Sequence, residues 1–439
     1  MYRKIEDYIN NCLNNYDDKI LCIYGARQIG KTYIINKTAP NFFSNYVEIN
    51  FDEDNKDEQL FKNVKSTSDF YIQLTAKYGN KLSRYEDTLI FIDEIQVYPQ
   101  FLSLLKQLNI DKKYHYICSG SQLGIALLDN GLSPMGSVIE KKMYPMDFEE
   151  FLLANGTGKE TIDYLKKCFI NKETVNEALH TYIMNMFKSY LFVGGLPECV
   201  KIFVEEKDVS KIKDIQSLTY RYYGNDASKY DEEKKLKIRH LYEMIISNME
   251  NNVKRIQVSK INNNVRDTYS KYENEFEYLT NSSIALASKA VSQPKFPLVQ
   301  SYSKNLTKLY FNDVGILSER LYKNNINAIL KDKTGVNLGS IYETVVAQEL
   351  SAHGHKLFYY DRRKVGEVDF LVDNYDNLST LPIEIKSGKE SFIYKALPKL
   401  VEIDDYHILF GYVLSNKKDV IIKNKIIEMP IYNIMFIWK

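Results

Sequence analysis

The sequence predicts an α/β protein with a parallel-sheet core at its N-terminal end, a helical middle region and a second α/β domain at its C-terminal end. Three observations carry this. Short apolar runs alternate with helix-period segments through the first 150 residues, the pattern of a parallel sheet covered on both faces. Residues 150–225 then read as largely helical, broken at one strong turn. Beyond about residue 335, a helix precedes strands in which charged and apolar residues alternate. The expected divisions are 1–150, 151–234, 235–330 and 331–439.

With 439 residues the chain has room for two or three cores. Hydrophobic content of 44% and charged content of 26% describe a soluble globular protein. The formal net charge of +1 excludes a polycation, so any nucleic-acid contact must come from local basic patches. Five dispersed cysteines (Cys12, Cys22, Cys118, Cys168, Cys199) form no C-x-x-C pair. They read as reduced thiols rather than a disulfide frame or a zinc site. No run is long enough to cross a bilayer, and Arg3, Lys4, Glu6 and Asp7 interrupt any apolar leader. The expectation is a cytoplasmic chain with no membrane partner.

In chain order, residues 1–19 read as an amphipathic helix that leads into a strand at Ile20–Tyr24. Gly25-Ala26-Arg27-Gln28-Ile29-Gly30-Lys31-Thr32 follows, fitting G-x-x-x-x-G-K-[ST] without mismatch. A strand, a glycine loop and a helix start aim backbone N–H groups and the helix dipole at a phosphate. Lys31 then reaches the β- and γ-phosphates, and the Thr32 hydroxyl sits on Mg²⁺. The alternative is a glycine turn that binds nothing.

Tyr46–Phe51 reads as a second strand, with helical pattern later through Phe61, Val64, Phe70 and Leu74. Leu89-Ile90-Phe91-Ile92-Asp93-Glu94 reads as a strand buried on both faces that ends in two acids. There Asp93 can hold Mg²⁺ through water and Glu94 can deprotonate the attacking water. Tyr114–Cys118 forms another strand and ends in Ser119-Gly120-Ser121. These hydroxyls, Ser119 first, either sense the γ-phosphate or cap a helix beginning near Gln122.

Tyr144-Pro145 marks the exit from this core into a helix, and Gly194-Gly195-Leu196-Pro197 is the turn that interrupts the middle helices. Between about 235 and 320, short helices precede a small hairpin of Lys308–Phe311 and Gly315–Leu317, turned at Asn312-Asp313. That order suggests a winged-helix module. Lys254, Arg255, Lys260 and Arg266 near its start either touch phosphates or form a solvated face.

In the last domain, Ser340–Ala352 reads as a helix in which Glu343 shares a face with Val346, Ala347 and Leu350. Strand alternation sends Glu367 and Asp369 to one side of Glu367–Val372, and Glu384 and Lys386 to one side of Ile383–Lys386. One face can therefore gather Glu343, Asp369, Glu384 and Lys386. The three acids suit Mg²⁺ or Mn²⁺, and Lys386 can polarise a water aimed at a phosphodiester. The alternative is an exposed face with a Glu384–Lys386 pair. Arg362, Arg363 and Lys364 lie on the preceding turn. His353 and His355 read as loop histidines.

Taken together, the pieces resemble the prokaryotic AAA-type ATPases that join an AAA_14 domain to a DUF4143 domain. The resemblance rests on Gly25–Thr32 as Walker A, Phe91-Ile92-Asp93-Glu94-Ile95-Gln96 as Walker B, and Ser119-Gly120-Ser121 after the sensor strand. It continues through Tyr144-Pro145 with Phe148-Glu149-Glu150-Phe151, Gly194-Gly195-Leu196-Pro197-Glu198, Glu367–Phe370 and Ile383–Gly388. It implies a P-loop AAA-like core, a helical and winged-helix middle, and a C-terminal fold like the restriction-endonuclease-type PD-(D/E)xK nucleases. In that nuclease pattern Glu343, Asp369, Glu384 and Lys386 match the helix acid, the metal acids and the lysine. One position departs: relatives usually carry Gly-Arg where this chain has Gly136-Ser137. If that arginine serves the nucleotide of a neighbouring subunit, this chain either uses another cation, with Lys141 as one candidate, or hydrolyses ATP slowly.

Three functions fit these residues. The first is an ATP-hydrolysing enzyme acting on nucleic acid through a metal-dependent C-terminal nuclease site. The second is a signalling or scaffold ATPase whose C-terminal domain binds a partner or DNA and cuts nothing. The third is a DNA-binding regulator built on the winged helix. The implied cofactors are ATP and Mg²⁺, with Mn²⁺ an option at the C-terminal site. The implied partners are DNA, a second copy of the chain or another protein.

Overall fold

The computed structural model describes residues 1–15, 18–121, 136–226, 232–249, 254–258, 261, 268–323, 325–330, 338–387 and 395–439. The helix start near Gln122, Lys260, Arg266 and Gly388 lie outside the described residues. The chain divides into two compact units. One holds residues 2–144 with 281–283, and the other holds residue 1, 145–280 and 284–439. The stretches expected as a helical region, a winged-helix module and a C-terminal domain thus belong to one unit.

In the first unit a five-stranded sheet is parallel throughout, in the order β2-β3-β4-β1-β5. Its strands are β1 (Ile20–Tyr24), β2 (Asn45–Asn50), β3 (Thr88–Asp93), β4 (His115–Gly120) and β5 (Val138–Lys142). Its helices are α1 (Lys4–Asn15), α2 (Lys31–Thr38), α3 (Phe51–Lys56), α4 (Thr67–Tyr78) and α5 (Gln100–Asp111). All six residues of β3 are buried, which is why its sequence runs apolar without alternation. Phe51, Phe61, Phe70, Leu74, Phe101 and Leu105 pack over Ile90 and Ile92 on one face.

Two boundaries differ from the periodicity reading, each because of a cap. The Asn50 side chain accepts from the Asp52 and Glu53 N–H groups, so β2 stops there and Phe51 opens α3. Ser66 and Asp69 form a capping box, so α4 starts at Thr67 and leaves Phe61 in a turn and Val64 in irregular chain. Parallel pairing brings the C-terminal ends of β1, β3 and β4 to one edge: Tyr24 lies opposite Gly120, and Ile92 opposite Cys118. Ligands of open α/β sheets bind at that edge.

In the second unit, helices α6 (Phe148–Ala154), α7 (Lys159–Asn171), α8 (Glu177–Val193), α9 (Pro197–Glu205), α10 (Val209–Asp226), α11 (Glu232–Met249) and α12 (Glu273–Asn281) precede a mixed eight-stranded sheet. Its strand order is β12-β13-β11-β10-β9-β8-β6-β7. The strands are β6 (Ala285–Val291), β7 (Tyr302–Phe311), β8 (Leu357–Arg362), β9 (Gly366–Asn374), β10 (Ser379–Lys386), β11 (Gly411–Ser415), β12 (Ile421–Lys423) and β13 (Ile426–Pro430). Among and after these come α13 (Val314–Tyr322), α14 (Asn327–Leu330), α15 (Gly339–Ala352) and α16 (Ala396–Val401).

The winged-helix hairpin is not formed. Lys308–Phe311 is the end of β7, whose antiparallel partner is the upstream β6, and Gly315–Leu317 lies inside α13. The reason is local: the Asp313 side chain accepts from Ile316 N–H and starts a helix where a turn was expected. Strand β6 then pairs in parallel with β8, which adds the β6–β7 hairpin to the C-terminal sheet.

Gly194-Gly195-Leu196-Pro197 is more than a turn. Gly195 N–H donates to Asp313 Oδ2 at 2.6 Å, and Gly195 O accepts Met146 N–H at 2.7 Å. The Tyr190 hydroxyl donates to Met146 O at 2.6 Å, and the Gln348 amide donates to Tyr190 Oη at 2.7 Å. Burial pushes the Asp313 carboxyl up to about 6, although the backbone N–H groups of Gly195, Ile316, Gly315 and Leu196 favour its charge. A Cβ on Gly195 would lie 2.0 Å from Met146 O, with backbone on both sides of the contact. Gly195→Ala is therefore expected to lower the unfolding midpoint of this unit by the equivalent of about 1–3 kcal/mol. Gly158→Ala, where a Cβ meets nothing within 4 Å, should change it by no more than ~0.5 kcal/mol. Equal denaturation midpoints for the two variants would contradict this packing.

Candidate functional site

Strand β1 ends at Tyr24, and Gly25–Gly30 turns the chain into α2, whose N-cap is Gly30. The loop lies tightly against the exit of β5. A Cβ at Gly25 would stand 2.2 Å from Met143 O, so only glycine fits. The buried Arg3 guanidinium donates to Ile29 O at 3.0 Å and to Tyr144 O at 2.8 Å, tying the far side of the loop to the same segment. Lys31 is 6% exposed and donates to Gly25 O at 3.0 Å and Ala26 O at 2.8 Å, so the loop curls around its ammonium. Burial lowers the Lys31 pKa, while the Glu94 and Asp93 carboxylates work against that fall.

Asp93 ends β3 at 2% exposure. The Thr32 hydroxyl donates to its Oδ2 at 2.7 Å, and the Ser119 hydroxyl donates to its Oδ1. Thr32, Asp93 and Ser119, named from three separate stretches of sequence, thus meet at one carboxylate. A hydroxyl and a carboxylate side by side at a helix start are the oxygen donors that Mg²⁺ takes when phosphates and waters supply the rest. The residues present fit Mg²⁺·ATP.

Glu94 follows in the left-handed region at φ +51, a conformation costing a non-glycine residue about 1–3 kcal/mol and found preferentially at functional sites. Its Oε2 accepts from Ser121 Oγ at 3.0 Å, from Ser121 N–H at 3.3 Å and from the Gln96 amide. Arg27 Nε lies 3.4 Å from Ser121 Oγ. Ser119 and Ser121 therefore serve the two acids separately, Ser119 on Asp93 and Ser121 on Glu94. Gln28 sits at φ +62 and is exposed.

At the C-terminal constellation, the β9–β10 ladder runs to Phe370 opposite Ile383, and beyond it Asp369 Oδ2 accepts Ile385 N–H at 2.7 Å. Lys386 donates to Glu384 Oε1 at 2.7 Å. Helix α15 is buried almost all round, and from it Glu343 accepts from the Tyr310 hydroxyl at 3.2 Å and from the Lys254 ammonium. The Lys308 ammonium, 1% exposed on β7, pairs with Glu367. The predicted acids are brought together: burial first, then Glu384 and Glu343, raise the Asp369 pKa well above the usual carboxylate range. Burial also raises Glu384, with Lys386 opposing the rise. Burial disfavours the charge of Lys308, but Glu343, Glu367 and Asp369 outweigh it and hold its pKa up.

Four carboxylates therefore face three ammonium groups, and each of Glu343, Glu367 and Glu384 carries its own lysine. Among the described residues, no group of three or more His, Cys, Asp or Glu side chains is arranged to hold a metal ion. The residues as placed do not fit the expected Mg²⁺ or Mn²⁺ site. Lys254, read either as a phosphate contact or as part of a solvated face, is an ion-pair partner of Glu343.

Several functional neighbours were not foreseen. Arg3 carries no motif of its own, and Gln96, inside the Walker B stretch, has no expected role there although its amide donates to Glu94. Lys308 and Tyr310 reach the C-terminal acids only because β7 joins that sheet, a long-range pairing with no local signature. All five cysteines are buried and free. Among the described residues, no helix is long and apolar enough to cross a membrane.

Comparison with protein families finds AAA_14, an AAA domain, at residues 17–152. A domain of unknown function, DUF8612, matches residues 184–326, and another, DUF4143, matches residues 338–434. No curated protein matches the chain. Among solved structures, it is similar to a Walker-type ATPase of Pyrococcus abyssi at 14% identity and a TM-score of 0.43, covering 75% of this chain and 95% of that one. It is also similar to the ORC2 protein of Aeropyrum pernix, solved as ADPNP–ADP complexes, at 13% identity, a TM-score of 0.35 and coverages of 75% and 92%. Cdc6p of Pyrobaculum aerophilum follows at 12% identity, a TM-score of 0.27 and the same coverages. The fold assignment rests on the strand order and the family matches, not on these distant likenesses.

If lysines neutralise the C-terminal acids, titrating Mn²⁺ into the protein without nucleotide should give no saturable heat that Asp369→Asn removes. A tight Mn²⁺ isotherm abolished by Asp369→Asn would show that the carboxylates do take a metal.

Proposed function

We propose that this chain, which carries an AAA_14 domain at residues 17–152 and a DUF4143 domain at residues 338–434, binds and hydrolyses ATP. One observation carries the reading: the Asp93 carboxylate shared by the hydroxyls of Thr32 and Ser119, at the edge where Gly25–Thr32 opens α2. Backbone N–H groups of the loop and the start of α2 receive the phosphates, with Lys31 on the β- and γ-oxygens. Thr32 and, through water, Asp93 would hold Mg²⁺, which would neutralise charge on the phosphates. Glu94 takes a proton from the attacking water, and its anchoring by Ser121 and Gln96 fixes where that base can stand.

For the C-terminal domain the lysine-paired acids favour the second function over the first. The domain engages a partner or DNA and does not cut. Arg362, Arg363 and Lys364, all exposed on the β8–β9 turn, are the residues suited to a phosphate backbone. If DNA is the partner, fluorescence anisotropy should show binding that weakens as salt rises and is reduced by the triple Arg362→Ala, Arg363→Ala, Lys364→Ala variant. Salt-independent binding that ignores those changes would move the contact elsewhere.

Lys31→Ala should lose most of its ATP affinity in calorimetry while keeping the wild-type unfolding midpoint. Glu94→Gln should bind ATP normally and release phosphate roughly 10²–10⁴-fold more slowly. Full turnover in Glu94→Gln would remove Glu94 from the role of base.

A further inference from the structure

Hydrolysis at this site needs a cation for the charge that develops on the γ-phosphate, beyond Lys31 and the metal. Gly136-Ser137 does not supply it, and its placement shows why an arginine there would not serve this chain's own loop. Ser137 O accepts Ile20 N–H, at the start of β1, whereas the phosphate loop leaves from the other end, after Tyr24. Those ends are roughly 13 Å apart at the rise of a strand. Lys141 is also committed elsewhere: its ammonium lies 4.4 Å from the ring centroid of Tyr8 on α1.

Arg27 stands inside the loop itself. Its Nε is 3.4 Å from Ser121 Oγ, and the same hydroxyl donates to Glu94 at 3.0 Å. The guanidinium is therefore one hydroxyl away from the acid read as the general base, and it is half-buried beside the turn that receives the phosphates.

We propose that Arg27 is the in-cis arginine of this active site, stabilising charge on the γ-phosphoryl oxygens and, through Ser121, setting the position of Glu94. In the step it assists, water oxygen bonds to the γ-phosphorus and the bond to the β–γ bridging oxygen breaks. That electron pair stays on ADP, the water proton passes to Glu94, and inorganic phosphate leaves. Arg27 exchanges no atom in this step. Its planar fork matches two phosphoryl oxygens, which an ammonium cannot do.

This rests on the ATPase reading, and the experiment separates the two. Wild type, Arg27→Ala and Arg27→Lys are compared for ATP affinity, kcat, and trapping of ADP with aluminium fluoride, which mimics the transferring phosphoryl group. Arg27→Ala should bind ATP within a few-fold of wild type, lose roughly 10³–10⁵-fold in kcat and fail to trap ADP–aluminium fluoride; Arg27→Lys should recover only a small part. An unchanged unfolding midpoint shows that the losses are not structural. Arg27→Ala that turns over and traps like wild type overturns the proposal. So does a variant altered in KM alone, because Arg27 would then bind ground state and transition state equally. A wild-type chain that neither binds nor hydrolyses ATP overturns the P-loop reading and the proposal with it.

Discussion

A single buried carboxylate holds the N-terminal unit's chemistry together. Asp93 takes a hydroxyl from Thr32, at the start of α2, and another from Ser119, at the end of β4. A carboxylate at 2% exposure needs such donors, because burying a polar group without hydrogen-bond partners is costly. Satisfying it requires β3, β4 and β1 to be neighbours, parallel, and in a register that ends all three at one edge. The strand order and the buried run Leu89–Ile92 can thus be read as the scaffold for that contact. Around it, Gly25 against Met143 and Arg3 across Ile29 and Tyr144 leave the phosphate loop little freedom.

What the sequence made legible follows the range of each interaction. Gly25–Thr32 and Asp93-Glu94 are contiguous, and their flanking apolar runs announce the strands that carry them. Division of labour between Ser119 and Ser121 was not legible, since it depends on how the end of β4 meets the end of β3. Arg3 carried no signal because a buried guanidinium bridging two carbonyls leaves no periodic trace. In the second unit, alternation placed Asp369 and Glu384 correctly on one sheet face, and the helix at Gly339–Ala352 was readable. The hairpin after Lys308 was misread because Asn312-Asp313 looks like a turn, while Asp313 is in fact a helix cap.

That misreading changed the chemistry as well as the topology. With β6–β7 assigned to a separate module, the C-terminal acids read either as a divalent-cation site or as a face with a Glu384–Lys386 pair. Once β7 is part of their sheet, Lys308 and Tyr310 arrive beside them, and Lys254 covers Glu343. Buried charges must be paired by something, and here ammonium groups meet that requirement. The four residues matching the nuclease pattern are all present, yet three of the acids around them have lysine partners. The two constellations therefore differ in kind: one carboxylate with hydroxyl donors beside a phosphate loop, and four carboxylates of which three are paired with lysines.

The most direct test of this contrast is electron paramagnetic resonance of Mn²⁺ in the presence of ATP. Wild-type protein should show bound Mn²⁺ coupled to phosphorus. That signal should vanish in Asp93→Asn and persist unchanged in Asp369→Asn. Bound Mn²⁺ that survives Asp93→Asn and disappears with Asp369→Asn would place the metal chemistry at the opposite end of the chain and contradict the assignment.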